Sequence, residues 1–215
     1  MSSVQTEDYG AVRIQINLLD LLVKNRYNFT WPEVISNLKR GVIWLERKGV
    51  VTMQGNPVTL VGPDLKVGDK APDFTVIDQN MKEVRKSNFA NKIKVISVTP
   101  SLDTSVCDIQ AHKFEEEAVS LPDDVVVLNI SMDLPFAIKR FCTTGNIKKV
   151  IALSDYRYAS FGTNWGVLMK ELRLLARAVF IVDKDDTIRY VQIVPEATNH
   201  PDYEAALNTL KSLIK

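Results

Sequence analysis

The sequence predicts an α/β fold, a central mixed sheet flanked by helices, entered through a β-hairpin and preceded by an extra helical segment. Three observations predict it. From about residue 90 onward, short β-rich runs alternate with helical runs, the pattern of helices packed on a sheet. Two late strand-like runs, 178–183 and 187–194, are joined only by Lys184-Asp185-Asp186, so part of the sheet must be antiparallel. A cysteine, Cys107, follows a buried strand-like run at the start of a helical one, behind Pro100 and Thr104.

The elements follow in order. Residues 1–49 suggest two helices, roughly 11–24 and 32–47. The second has Thr30 as a cap and Pro32 at a first helical position. From residue 50 the pattern becomes β-rich. VVTMQGNPVTLVG predicts a hairpin turning at Gly55-Asn56-Pro57, and DFTVIDQNMKEVRKSNF a second turning at Gln79-Asn80. A buried strand over 93–99 leads through the Cys107 loop into a helix over 106–121. A strand over 125–131 precedes a helix over 135–143, which Gly145 ends. A short strand over 150–154, a short helix over 158–166, the two late strands and a helix over 203–214 complete the chain. The division is therefore an extension, 1–49, and a domain, 50–215. Strand, cysteine at a helix start, strand, helix is the thioredoxin-like order.

Composition narrows the function. Of 215 residues, 46% are hydrophobic and 25% charged, an ordinary globular balance that can bury a core without disulfides. A net charge of +1 gives no nucleic-acid or membrane surface. No stretch reaches the roughly 18–20 apolar residues of a membrane span, and the N-terminus lacks a signal-peptide pattern, so a cytoplasmic address is expected. There, two cysteines are more often catalytic, metal-binding or inert than a structural disulfide. Cys107, Cys142, His112 and His200 lack the close spacing of a zinc site, and neither metal nor cofactor is expected.

Cys107 in the first turn of a helix, with Thr104 or Ser105 as the cap, would meet unpaired N–H groups and the positive end of the helix dipole. Such settings lower a thiol pKa from about 8.5 to about 3.5–7.5. Attack on a peroxide also needs donors for the charge that develops on the leaving oxygen. The Thr104 hydroxyl can accept from the peroxide or donate to the sulfur, and an arginine, always charged and five-fold a donor, is the natural second group. Pro100, without an N–H, can wall the pocket. The product would be a sulfenic acid, and Cys142 is the only other thiol in the chain that could turn it into a disulfide. Two helical cysteines more than about 7 Å apart cannot bond without backbone movement, so unwinding of one or both helix ends is expected. Bland readings stand beside these: a buried core cysteine at Cys107, an inert helix cysteine at Cys142, a mere cap at Thr104. His112 is expected on an exposed helix face, His200 in solvent, and Glu115-Glu116-Glu117 as a charged stretch of helix.

PSLDTSVC matches the peroxiredoxin pattern Pro-x-x-x-Thr-x-x-Cys. SMDLPFAIKRFC, LRLLARAVFIVD, PDYEAAL, GNPVTLVG and VGDKAPDFTV together resemble one branch of that family, the bacterial thiol peroxidases of the atypical two-cysteine class, over about residues 50–215. The resemblance implies a peroxidatic Cys107, a resolving Cys142 joined to it in an intramolecular disulfide, and peroxide positioning by Thr104 and Arg177. It also implies a homodimer, reduction by thioredoxin, and hydrogen peroxide and alkyl hydroperoxides as substrates. Arg177 is favoured over Arg173 because it runs directly into a buried strand, where a guanidinium needs partners. A related branch often carries its second cysteine where His112 stands here. The alternatives to a peroxidase are a disulfide oxidoreductase, disfavoured by the lack of Cys-x-x-Cys, and a redox sensor.

Three departures from the branch stand out. Ser105 replaces a common proline or glycine. Trp165 replaces a common tyrosine, which would alter the pocket edge or a dimer contact. The third is the extension, since relatives begin near Val50–Met53. The run Glu46-Arg47-Lys48-Gly49-Val50 can be encoded by GAA-AGG-AAA-GGA-GTN, which contains AAGGA and resembles a bacterial ribosome-binding site. Residues 1–49 are therefore read as translated upstream sequence from a misplaced start codon, with a genuine helical extension as the alternative.

Overall fold

A computed structural model describes residues 45–214. Among these, the chain forms eleven strands and four α-helices on two sheets. The helices expected over 11–24 and most of 32–47 lie outside the described residues.

Strands β1 (Glu46–Met53) and β2 (Asn56–Val61) form the first hairpin. Its turn is Gln54-Gly55, with φ of 52° and 78°, and Met53 pairs with Asn56. Positive φ at both central residues is the two-residue turn whose twist matches the flanking strands. The turn thus falls one residue earlier than expected, and Asn56 and Pro57 are strand. Pro57 is tolerated because the next strand over pairs only with Leu60 and Val61. The strand also begins before residue 50. Glu46 and Arg47, expected to end a helix, pair with Val61 and Leu60.

That next strand, β8 (Leu168–Met169), and β9 (Leu174–Leu175) complete a four-stranded sheet in the order β1-β2-β8-β9. Neither was expected, because two residues are too few to show a period.

The larger sheet has the order β11-β10-β5-β6-β7-β3-β4. Its centre is parallel: β5 (Ile93–Val98), β6 (Val125–Ser131) and β7 (Ile151–Ser154). Antiparallel strands extend it at both sides, β10 (Ala178–Val182) with β11 (Ile188–Ile193), and β3 (Thr75–Ile77) with β4 (Glu83–Arg85). The turn of the latter hairpin is held by Asp78, whose Oδ1 accepts from the N–H groups of Asn80 at 2.7 Å and Lys82 at 2.9 Å.

All six residues of β5 are buried, as expected for a central parallel strand covered on both faces. Side chains alternate across it. Ile96 and Val98 join one core cluster with Phe161, Trp165 and Phe180; Ile93 and Val95 join the other with Phe114, Ile138 and Leu210. Ser97 belongs, by the same alternation, to the second face. Each fully buried large apolar side chain contributes about 1.5–3 kcal/mol. Trp165 is one of them, 1% exposed and stacked on Phe161 at 4.9 Å, so it is core and not a pocket edge.

Helix α1 (Ser105–Ala118) follows β5, and α2 (Pro135–Thr144) follows β6. Pro135 opens α2 where its missing N–H costs nothing, and Gly145 is its C-cap. Helix α3 (Ser160–Asn164) and α4 (Tyr203–Leu213) complete the set, α4 being capped by Asp202, which accepts from the Ala205 N–H at 3.0 Å.

Candidate active site

Cys107 is the third residue of α1 and completely buried. The first N–H groups of a helix have no acceptor within it, so the sulfur sits where the helix end offers unpaired positive charge. Two donors are aimed at it. The Thr104 hydroxyl donates to Sγ at 2.9 Å, and a terminal guanidinium nitrogen of Arg177 donates to Sγ at 3.2 Å. Thr104 holds the backbone position of the helix cap, and its carbonyl accepts from the Asp108 N–H at 2.9 Å. Its side chain makes no cap bond; the hydroxyl lies closest to the sulfur, with the Ser101 carbonyl at 3.3 Å as its other neighbour. Thr104 is exposed while Cys107 is buried, which makes the hydroxyl the outer edge of the sulfur's pocket. Pro100 is buried in the loop between β5 and α1.

The loop is fixed from below. The Asp133 carboxylate accepts from the Ser101 hydroxyl and the Leu102 N–H, both at 2.7 Å, and from the Ser131 hydroxyl at 2.9 Å.

Arg177 is 2% exposed and reaches three acceptors: Nε to the Ala197 carbonyl at 2.9 Å, one terminal nitrogen to Gln110 Oε1 at 2.6 Å, the other to Cys107. Among these partners none is a carboxylate. A buried cation without an anion is expensive, and the group that can supply the anion here is the thiolate of Cys107. Arg173, the competitor, is exposed on the β8–β9 turn with φ of 55°.

Gln110 was not anticipated. Fully buried, it donates through Nε2 to Ser97 Oγ at 2.7 Å, which fixes which end of the amide faces Arg177. Ser97 also accepts from Asn129 Nδ2 at 3.3 Å, and Asn129 Oδ1 accepts from the Thr99 hydroxyl at 3.3 Å. The signal was present in the sequence: Ser97 and Asn129 are polar residues inside apolar strand runs, and Gln110 lies one helical turn from Cys107.

Ala197 is held in turn by the first hairpin. Its N–H donates to the Thr52 carbonyl at 2.9 Å. The neighbouring Glu196 carboxylate accepts from the Thr52 hydroxyl at 2.7 Å and from the N–H groups of Gln54 at 3.0 Å and Gly55 at 2.9 Å. The hydrogen bond from the Thr198 hydroxyl, followed by those from the Gly55 N–H and the Thr52 hydroxyl, holds Glu196 well below the usual carboxylate range.

A redoxin family model matches residues 66–207. Curated thiol peroxidases are similar over nearly their whole length. That of Bacillus subtilis is 51% identical over 165 residues, 77% of this chain and 98% of the relative. That of Listeria innocua is 53% identical over 161 residues, 75% of this chain and 97% of the relative. A solved peroxiredoxin-like protein from Aquifex aeolicus is 44% identical and superposes with a TM-score of 0.72, covering 80% of this chain and all of that one. The chain belongs to the redoxin family, in its thiol peroxidase branch.

The chain has one other cysteine. Cys142 lies in the last turn of α2, 7% exposed, among the apolar residues of the second core cluster. Burial pushes its thiol up to about 11, against an opposing hydrogen bond from Gln79 and with a small push from Glu115. Both cysteines are free. His112 is not simply on an open helix face: its two ring nitrogens stand 3.0 Å from the Asp108 carbonyl and 3.1 Å from that of Gly145. Glu115 is likewise engaged, accepting from the N–H groups of Lys148, Lys149 and Val150. His200 is exposed, 3.0 Å from the Tyr203 hydroxyl. Among the described residues no group of three or more His, Cys, Asp and Glu side chains is placed to hold a metal ion.

Proposed function

We propose that this thiol-dependent peroxidase reduces hydrogen peroxide and alkyl hydroperoxides at Cys107 and recycles through a disulfide with Cys142. The observation that carries the reading is Sγ of Cys107 lying between the Thr104 hydroxyl at 2.9 Å and the Arg177 guanidinium at 3.2 Å. The thiolate attacks the nearer peroxide oxygen. The S–O bond forms as the O–O bond breaks, sulfur is oxidised by two electrons, and the departing oxygen leaves as water or alcohol after taking a proton. Arg177 and Thr104 stabilise the charge that moves from sulfur to that oxygen. Pro100 keeps one wall of the pocket free of a competing donor.

Cys142 then resolves the sulfenic acid. Its thiol attacks the Cys107 sulfur, the S–S bond forms, the S–O bond breaks, and the hydroxyl leaves with the thiol proton as water. A dithiol reductant, thioredoxin, reopens the disulfide by exchange. A homodimer and a cytoplasmic address complete the reading. The exposed Leu134 and Phe136 at the start of α2 suit a partner surface, and no helix among the described residues is long and apolar enough to cross a membrane.

The test is peroxide consumption with thioredoxin, thioredoxin reductase and NADPH. Cys107→Ser should be inactive. Cys142→Ser should form one sulfenate per chain and then stop. Full coupled turnover by Cys107→Ser would end the proposal.

A further inference from the structure

Helix α1 carries Cys107 at its start and grips the segment behind Cys142 further along. Five residues beyond the cysteine, His112 reaches across to the end of α2. Nδ1 faces the carbonyl oxygen of Asp108 and Nε2 faces that of Gly145, the C-cap residue of α2. Both partners are acceptors. A neutral imidazole has a single N–H and can satisfy one of them; the imidazolium satisfies both. The fit is close, since a Cβ on Gly145 would stand 3.2 Å from the ring, and the ring sits edge-on to Phe141 at 6.3 Å. Of the groups that face His112, α1 supplies Asp108, whose Oδ1 lies 3.3 Å away, and Glu116. From α2 come the Phe141 ring and the Gly145 carbonyl. Every charged group among them is acidic. One turn further, the Glu115 carboxylate accepts from the N–H groups of Lys148 at 2.8 Å, Lys149 at 2.9 Å and Val150 at 2.8 Å.

The stretch that must give way for Cys142 to leave its pocket is therefore pinned at both ends by α1. Resting on the disulfide cycle proposed above, we propose that His112 and Glu115 are positioning residues for the resolving step. They clamp the end of α2 in place, and loss of the His112 proton loosens the clamp so that Cys142 can reach the Cys107 sulfenate. The clamp sets how long the sulfenate waits. A closed clamp favours a second peroxide, whose oxygen would convert the sulfenate to a sulfinate while the peroxide leaves as water or alcohol; an open one favours the disulfide and water.

The experiment separates the two chemical steps in the full chain. Sulfenate formation and Cys107–Cys142 disulfide formation are timed by rapid quench and mass spectrometry after one equivalent of hydrogen peroxide, at pH 6.0 and pH 8.5. Wild type, His112→Ala, His112→Arg and Glu115→Gln are compared. Sulfenate formation should be the same in all four. Disulfide formation should be several-fold faster in His112→Ala than in wild type at pH 6.0, with the gap closing at pH 8.5. His112→Arg, which keeps a cation at every pH, should resolve slowly at both. Glu115→Gln should resolve faster at both, and excess peroxide should leave less sulfinate in His112→Ala than in wild type. Equal resolving rates for wild type and His112→Ala at pH 6.0 overturn the clamp alone, as does His112→Arg keeping the wild-type pH dependence. A wild type that forms sulfenate but no Cys107–Cys142 disulfide overturns the cycle, and the clamp with it.

Discussion

The two cysteines are both buried and both helical, yet their surroundings have almost nothing in common. Cys107 is met by a hydroxyl and a guanidinium, and the guanidinium is anchored by further hydrogen bonds that run through Gln110 to two strands and through Ala197 to the first hairpin. Cys142 lies among the apolar residues of the second core cluster with a hydrogen bond from Gln79, its thiol pushed up by burial to about 11, at the last turn of a ten-residue helix. In the proposed cycle one sulfur reacts where it stands, and the other becomes a nucleophile only when its helix end opens. Preorganisation and mobility then fall on different helices, and the proposed clamp between those helices decides when one sulfur meets the other.

The largest expected effect on this contrast comes from removing the cation. Arg177→Lys retains charge but cannot hold Ala197, Gln110 and Cys107 together, because an ammonium lacks the planar fork. Sulfenate formation should fall about 10²–10³-fold, the range for losing one preorganised donor to developing charge. Stopped-flow measurement of the second-order rate with hydrogen peroxide checks it. An unchanged rate would mean that Thr104 and the helix end suffice.

A smaller effect is expected one bond further out. Asn129→Leu removes a donor to Ser97 and an acceptor from Thr99 without touching Arg177 or Cys107. If Ser97 needs Asn129 to keep the Gln110 amide oriented, sulfenate formation should drop about tenfold, equivalent to about 1.4 kcal/mol of barrier. The disulfide step should not change. Equal loss in both steps would instead indicate general loosening of the sheet.

Legibility in the sequence divides along the same line. The central strands and both cysteine-bearing helices were readable because β5 and β6 are short, almost continuously apolar runs, α1 follows the cysteine loop, and α2 has clear ends at Pro135 and Gly145. The two-residue strands β8 and β9 were not, since no period fits in two residues. The hairpin turn was misplaced because Gly55-Asn56-Pro57 looks like turn chemistry, whereas register put Gln54 in the left-handed region instead. At the site, residues that chemistry names by type could be proposed: thiol, hydroxyl, arginine. Of the supports, Gln110 left a trace, one helical turn from Cys107, whereas Asp133 and Ala197 left none, because a carboxylate or a backbone carbonyl takes its role from three-dimensional placement alone. Glu115 shows the same limit. As a run of three glutamates it reads as a solvated face, yet it is the residue that collects three backbone N–H groups after α2.

The smallest expected effect separates a contact that controls rate from one that controls only stability. Asp155 stands between β7 and α3, with Oδ1 accepting from the Phe161 N–H at 3.1 Å and Oδ2 from the Gly162 N–H at 2.7 Å. Burial nevertheless outweighs these bonds and raises it from 3.8 to about 7. A carboxyl that holds its proton more tightly folded than unfolded contributes stability in full below about pH 4. That contribution is lost as the pH rises to about 7. His112, raised above its ordinary 6.5 chiefly by its bond to the Asp108 carbonyl, acts in the same direction at higher pH: its contribution is full below 6.5 and lost above. Glu115, Asp183 and Asp186, all lowered, oppose both, contributing above their unfolded values and losing that as the pH falls. Asp155→Asn keeps one acceptor and removes the titration, so its Tm should decline less than that of wild type between pH 4 and pH 7. An identical slope would show that the buried carboxyl does not carry the change. The variant should leave both sulfenate and disulfide formation untouched, whereas His112→Ala should alter the second. A carboxyl outside both cysteine networks can shift the melting curve, whereas the contact at the end of α2 should move the disulfide step.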